Sequence, residues 1–484
     1  MNPRLTFAIC SALAAAAAHA VHLNPHGTGE ALVFPYYTVN GGNTTLLLIG
    51  NTQNAGKAVK VRFLESQDAR DTLDLNLYLS PYDIWVAQVV PSGDGAALFT
   101  NDNSCTIPTI PNTAAAALPF STAAFDGHTA QLTDSGPTDV ARTREGSIEV
   151  IEMGTVVNGT HDTLKAITHS NGVPSRCDQI ATAWNDYWKT SPNDDLSSPS
   201  GGLFGSGTIL NAGRGTVEAY NAEAIAQFYT PDSSPQHTAA AALTPNLATG
   251  TSKTSITLSD DGAITTPFEH SIDAVSALFM ADQILNDYVI STSIGASTEW
   301  VVSLPTKRFY TDPYYLAADA TTGRMPFDKV FGLPVVGAAC SSADEAPFNR
   351  EEATLSTGAG FPEMPPPPPP PTCYSMQVTT FAQPFDQPSH ILGANHALPF
   401  GRYGSVGAFQ SGWALITLFD EKKYPNHTLT GTNGNVFRGL PVTGFSVTEY
   451  VNGDLNGVLS NYTALSVHRT HVRCDRGDPS LPCS

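Results

Sequence analysis

AVKVRFLESQDARDTLDLNLYLSPYDIWVAQVV, residues 58–90, carries three runs in which apolar and polar side chains alternate. A period of two puts successive residues on opposite faces of an extended chain. Val59, Val61 and Phe63 then line one face, with Lys60 and Arg62 on the other. Leu73, Leu75, Leu77 and Leu79 repeat the pattern, with Asp74, Asn76 and Tyr78 expected outside. SPYD supplies turn residues before the third run, DIWVAQVV.

Outward from this stretch the pattern continues. ALVFPYY (31–37) and TTLLLIGNT (44–52) precede it, separated by NGG and NAG turn chemistry, and GSIEVIEMGTVV (146–157) resumes it. Short alternating strands at this spacing predict a β-sandwich of immunoglobulin-like or related architecture over 21–157, with 91–145 as a long connection. A mixed helix and strand region follows over 158–335. It holds a short helix at 177–188, a strand near 215–220 and a helix over 271–288. Ser271 is placed to cap that last helix and Asp273 to sit in its first turn, while Ile272, Val275, Leu278, Phe279 and Leu285 recur at helical spacing. Strands are expected at 288–294 and 299–305. Seven consecutive prolines, 365–371, read as a polyproline II spacer inside a disulfide-closed protrusion over 336–375. Strands at 413–419, 441–451 and 462–468 make 376–484 a C-terminal β region completing a second sheet. The fold class is mainly β, with a few packed helices and long loops.

The first twenty residues, MNPRLTFAICSALAAAAAHA, have Arg4, an apolar stretch and small residues at Ala18 and Ala20, which is the form of a signal peptide (1–20). The mature chain is expected to start at Val21. No later stretch approaches the ~18 apolar residues of a membrane helix. A formal charge of −20 argues against nucleic acid and against insertion into anionic membranes. LPVTG at 440–444 matches a wall-sorting pattern, but such a signal needs an apolar tail and a basic end. The continuation FSVTEYVNGD alternates instead, so LPVTG reads as a strand entrance, with Pro441 in a position strands tolerate.

Without Cys10 of the leader, six cysteines remain, and an even number in an exported chain points to disulfides. Six cysteines allow fifteen connectivities; the expected one is sequential, Cys105–Cys177, Cys340–Cys373 and Cys474–Cys483. None has C-x-x-C spacing, so neither a zinc site nor a redox motif is indicated. The signatures of serine hydrolases, zincins, P-loops and dinucleotide folds are absent from the sequence, which leaves only a triad assembled from distant segments. Asn452, Asp454 and Asn456, followed by Gly457, are spaced like the start of a calcium loop. Position twelve, however, falls on Thr463, and NGD and NG are ordinary hairpin signals, so the turn reading leads and calcium is the lesser one. SDDGAI (259–264) carries the same ambiguity. No other cofactor is expected. The histidine pairs His22 with His26 and His468 with His471 read as structural or exposed, and the sequon residues Asn43, Asn158, Asn426 and Asn461 as turn asparagines.

Several phrases resemble a group of exported bacterial β-rich proteins with no established activity: ALVFPYYTVNGGNTTLL, AVKVRFLES, LDLNLYLSPYDIWVA, TNDNSCT, REGSIEVIEMG, EWVVSLPTKRFYTD and GLPVTGFSV. The resemblance implies export and one family architecture, and lends no catalytic residue. The expected role is a secreted or cell-surface structural or adhesive protein, a matrix, filament or envelope component. Its expected partners are itself, as a homopolymer, or other envelope components. The alternative is an extracellular hydrolase or glycan-binding protein whose long loops build a cleft displaying Tyr36, Tyr37 and Tyr82. A periplasmic binding protein of the alternating type lacks its βα pattern.

Overall fold

The Gly56–Glu65 and Asp71–Leu79 strands pair antiparallel as the alternation predicts, with Val59 opposite Leu77 and Phe63 opposite Leu73. The computed structural model describes residues 19–128, 134–259, 262–316, 320–351, 372–381, 388–400 and 410–476. This hairpin belongs to an eight-stranded sheet in which Glu145–Val156 lies between Ala31–Thr38 and Gly56–Glu65. A six-stranded sheet is built around Thr44–Asn51, flanked by Ile84–Ser92 and Leu203–Asn211. Val59, Val61, Phe63, Leu75 and Leu77 of the first sheet meet Leu47, Ile49, Trp85, Ala87 and Val89 of the second in one core. A one-residue slip of register would turn such side chains outward, at a cost of about 1.5–3 kcal/mol each. That cost is what holds the alternation to this pairing.

The third sheet has five strands, with Ala296–Ser303 between Met376–Phe381 and Thr443–Leu455. Val301, Val378, Phe445 and Val447 join the core of the first two sheets. Trp300, Val302 and Phe381 enter a second core with Ile284, Tyr288, Ala414 and Ile416 of a four-stranded sheet. The Ala296–Ser303 strand is therefore buried along its whole length, on both faces. Cys105–Cys177 and Cys340–Cys373 are both formed, which fits an oxidising setting. Cys474 is also disulfide-bonded; Cys483 and the proline run lie outside the described residues.

Several expectations change. Leu203–Asn211, Thr216–Asn221 and Glu223–Ala226 complete the first two sheets, so these reach well past residue 157 and the 158–335 region is not one unit. The 91–145 connection contributes strands, among them Gly95–Phe99 against Ile84–Ser92. The helix expected over 271–288 ends at Ala277. Gln283–Val289 instead pairs with Ser411–Thr417 and turns Ile284, Asn286 and Tyr288 inward; the apolar pairs Ile284–Leu285 and Tyr288–Val289 do not alternate with polar residues, so the pairing decides against the local pattern. The cap position is His270, and the Ser271 hydroxyl donates to Ala248 O at 3.0 Å. The strand expected over 288–294 stops at Val289 and gives way to a 3-10 turn at Thr292–Ile294.

The largest correction concerns the second face of the first sheet. Lys60, Arg62, Asn76 and Tyr78, expected outside, are buried. A segment without long strands, 227–250, crosses this face. Lys60 Nζ donates to Ala239 O and Ala240 O at 2.8 Å each, Asn76 Nδ2 to Thr238 O at 2.7 Å, and Arg62 to Leu243 O. Arg62 also pairs with Asp74 at 3.0 Å. From a later part of the chain, Arg308 Nη2 donates to both Glu149 oxygens, 2.8 Å to each, and its Nη1 donates to Ala69 O at 3.0 Å. Tyr36 and Tyr37 are buried too, donating to Glu145 and to Thr143 O, and only Tyr82 of the three expected aromatics is exposed.

Two outcomes follow from these buried charges. Arg308→Met strands the Glu149 carboxylate and should cost about 3–5 kcal/mol in urea unfolding. Arg308→Met combined with Glu149→Leu should recover much of that loss; an unrecovered double variant would contradict the pairing. At Glu145, burial pushes the carboxyl up to about 7, against the opposing bonds from the Asn395 N–H and the Tyr36 hydroxyl. The folded chain thus keeps a proton that the unfolded chain releases near 4.5, so this contribution to stability is full below 4.5 and is lost as pH rises through 7. The Tm of Glu145→Gln relative to the parent should therefore rise between about pH 4.5 and pH 8. A difference that does not vary with pH would contradict it.

Candidate functional site: an apolar cleft beside the LPVTG strand

The short helix Ser271–Ala277 gives way to Met280–Ala281, which pairs with Leu440–Pro441. Val442 N–H donates to Phe279 O at 2.8 Å and fastens the two segments. LPVTG thus enters a strand, and its glycine is required there. Gly444 has φ +144°, and a Cβ would collide with Val301 O. Where the helix stops and this strand begins, the surface opens into a cleft of about 520 Å³. Leu278, Phe279 and Met280 form one wall, and Val442, Thr443 and Gly444 another. Leu258 and Val467 stand on the rim, 66% and 59% exposed, and extend the apolar surface outward from the cleft. His22 and Leu23 of the first described strand also contribute.

Polar groups are few. His468 is buried, and both ring nitrogens are engaged, Nε2 with Val301 O at 2.9 Å and Nδ1 with Asn286 Nδ2 at 3.1 Å. Burial holds its pKa down at about 4, so the ring is neutral and serves the fold. Glu223, at the start of Glu223–Ala226, differs. Its Oε1 accepts from Thr443 Oγ1 at 3.3 Å, and among the described residues it has no salt-bridge partner. Burial raises its pKa, with the Thr443 bond opposing.

The structure does assemble one serine, histidine and carboxylate from separate segments. Ser297 Oγ lies 2.7 Å from His390 Nε2, and His390 Nδ1 lies 3.7 Å from Glu299 Oε1. Glu299, however, already accepts four hydrogen bonds: Oε1 from the His390 and Ile391 N–H groups, Oε2 from Ser389 Oγ and the Leu392 N–H. The 3.7 Å separation is too long for the base-orienting hydrogen bond of a triad. Ser297 is only 8% exposed, within a paired strand. The trio fastens the 389–392 turn to the third sheet.

The remaining expected sites lie apart from the cleft. Asn452, Asp454 and Asn456 form the tip of the hairpin between Thr443–Leu455 and Val458–Val467. Asn456 and Gly457 both have positive φ, and Asp454 Oδ1 accepts the Gly457 N–H at 2.5 Å, the bonding of a tight turn. Among the described residues no group of three His, Cys, Asp or Glu side chains is arranged to hold a metal ion. Part of SDDGAI lies outside the described residues. Asn43 is buried and donates to Ile391 O and Leu392 O, so it is a structural residue. No described residue of 91–145 lines the apolar cleft; that segment shares a separate recess of about 300 Å³ at Val86, Gln88, Phe99 and Asp102. Sequence reasoning read LPVTG as a strand entrance and Leu278 as a helix position, placed neither in a site, and did not single out Glu223, which stands in no motif. No family model, curated protein or solved structure matches this chain.

The saturation of Glu299 sets a prediction. A fluorophosphonate probe incubated with the native protein should leave Ser297 unmodified by peptide mass mapping; an adduct at Ser297 that is lost in His390→Ala would show a working nucleophile.

Proposed function

We propose that this protein is exported and binds a small, largely apolar molecule in the cleft between the Ser271–Ala277 helix end and the LPVTG strand. The observation that carries the reading is the concave apolar surface itself. Its volume of about 520 Å³ is within the usual range of small-molecule sites, and aliphatic side chains stay exposed at its rim. The two disulfides and the leader-like first twenty residues support a place outside the cytoplasm.

A second reading, a surface protein with a structural or adhesive role, is favoured by one feature. The hairpin of Thr443–Leu455 and Val458–Val467 exposes Val451 and Leu455 on its first strand and Val458, Leu459 and Tyr462 on its second, which is the edge strand of the third sheet. Such a surface suits association with another chain or an envelope component. The hydrolase or glycan-binding alternative loses its aromatic platform, since Tyr36 and Tyr37 are buried.

The test is titration with an environment-sensitive apolar dye. The native protein should enhance its fluorescence with a saturable, one-site profile. Leu278→Trp, which fills the cleft, should abolish the signal, while Leu455→Ser with Val458→Ser at the hairpin should leave it unchanged. Dye binding that survives Leu278→Trp and disappears in the hairpin variant would favour the second reading.

A further inference from the structure

We propose that the cleft selects amphiphiles bearing a protonated amine, with Glu223 as the group that meets the nitrogen. The inference rests on the cleft being a ligand site. Elsewhere in the first sheet, three buried carboxylates face cations, Glu65 with Arg142, Glu149 with Arg308 and Glu152 with Lys57, while Glu145 is held by neutral donors, among them the Asn395 N–H and the Tyr36 hydroxyl. Glu223 is half-buried and borders the cleft, and a threonine hydroxyl is its one side-chain partner among the described residues. Of the other titratable groups on the cleft, His468 has both nitrogens engaged by the fold, and His22 Nδ1 is bonded to Ala20 O at 3.0 Å.

An empty cleft lets water solvate the free lone pairs of Glu223. A ligand that fills the cleft removes that water. If the ligand is wholly apolar, the carboxylate is left desolvated and unpartnered, which opposes binding. An ammonium group at the ligand's polar end replaces the water with a charge-assisted hydrogen bond. A hydroxyl can donate as well, but it leaves the buried negative charge uncompensated. The chain's formal charge of −20 adds a general attraction for cations around the molecule, screened by salt. The local claim is separable from that field because it depends on one side chain.

The experiment uses the full chain and three probes of matched length, decylamine, 1-decanol and decanoate, each displacing the bound dye at pH 7 and physiological salt. Decylamine should displace it at a concentration about tenfold lower than decanol, a difference of about 1.4 kcal/mol, and decanoate should be the weakest. Glu223→Gln should erase the advantage of the amine while leaving decanol unchanged, and the retained decanol displacement reports an intact cleft. Equal displacement by amine and alcohol, or an amine preference that persists in Glu223→Gln, would overturn the assignment. If Glu223→Gln does not fold, Thr443→Val takes away the carboxylate's one side-chain partner and should widen the amine preference over decanol; an unchanged preference counts against the proposal. Displacement by none of the three, or no dye binding to displace, would instead remove the underlying reading of the cleft.

Discussion

The contact between Arg308 and Glu149 holds together parts of the chain that sequence order separates widely. Glu149 lies on the strand at the middle of the first sheet, opposite Arg62 of its neighbour. Arg308 comes from a short helical turn after the Ala296–Ser303 strand of the third sheet. All three side chains are buried, so a missing partner leaves a charge without solvent. The same face presents Lys60, Arg62 and Asn76 to the carbonyls of 238–243, which lie in no strand and would otherwise be unsatisfied. The sheet thus organises two neighbours through charge and hydrogen bonding on one side, and a third, the six-stranded sheet, through aliphatic packing on the other.

The cleft is a consequence of how the third and fourth sheets meet. The Thr443–Leu455 strand must lie close against Val301, and Gly444 permits it. The helix before Met280 is short because the chain is needed in pairing with Leu440–Pro441 and then with Ser411–Thr417. Leu278 and Phe279, at the changeover, belong to neither regular element and form a wall. Glu223 arrives from the first sheet, so the site draws its apolar walls and its carboxylate from different layers.

This assembly explains which parts were legible in the sequence. The strands of 31–90 and 145–156 could be read because each has one strictly apolar face, and alternation reports that face directly. It does not report what covers the other. Lys60, Arg62 and Asp74 look like solvent-facing residues until a distant segment supplies carbonyls and counter-ions, and nothing local marks 227–250 as that segment. Residues 283–289 failed for a different reason: adjacent Ile284 and Leu285 show no alternation, and only pairing with a strand more than a hundred residues away makes this segment extended. The even cysteine count pointed to disulfides, but spacing left fifteen connectivities and sequential pairing was one of them; Glu223 owes its setting to burial and to having no salt bridge among the described residues, which composition does not carry.

The strand order of the first sheet also constrains how the molecule comes into being. Ala31–Thr38 and Gly56–Glu65 are not neighbours; Glu145–Val156 fills the gap between them. A chain emerging from its N-terminus therefore presents two apolar strands with open edges for the time taken to produce about ninety further residues. Such edges invite pairing with other chains. Until that central strand arrives, the nascent protein needs either a chaperone's shelter or a rate of emergence faster than its encounters with copies of itself.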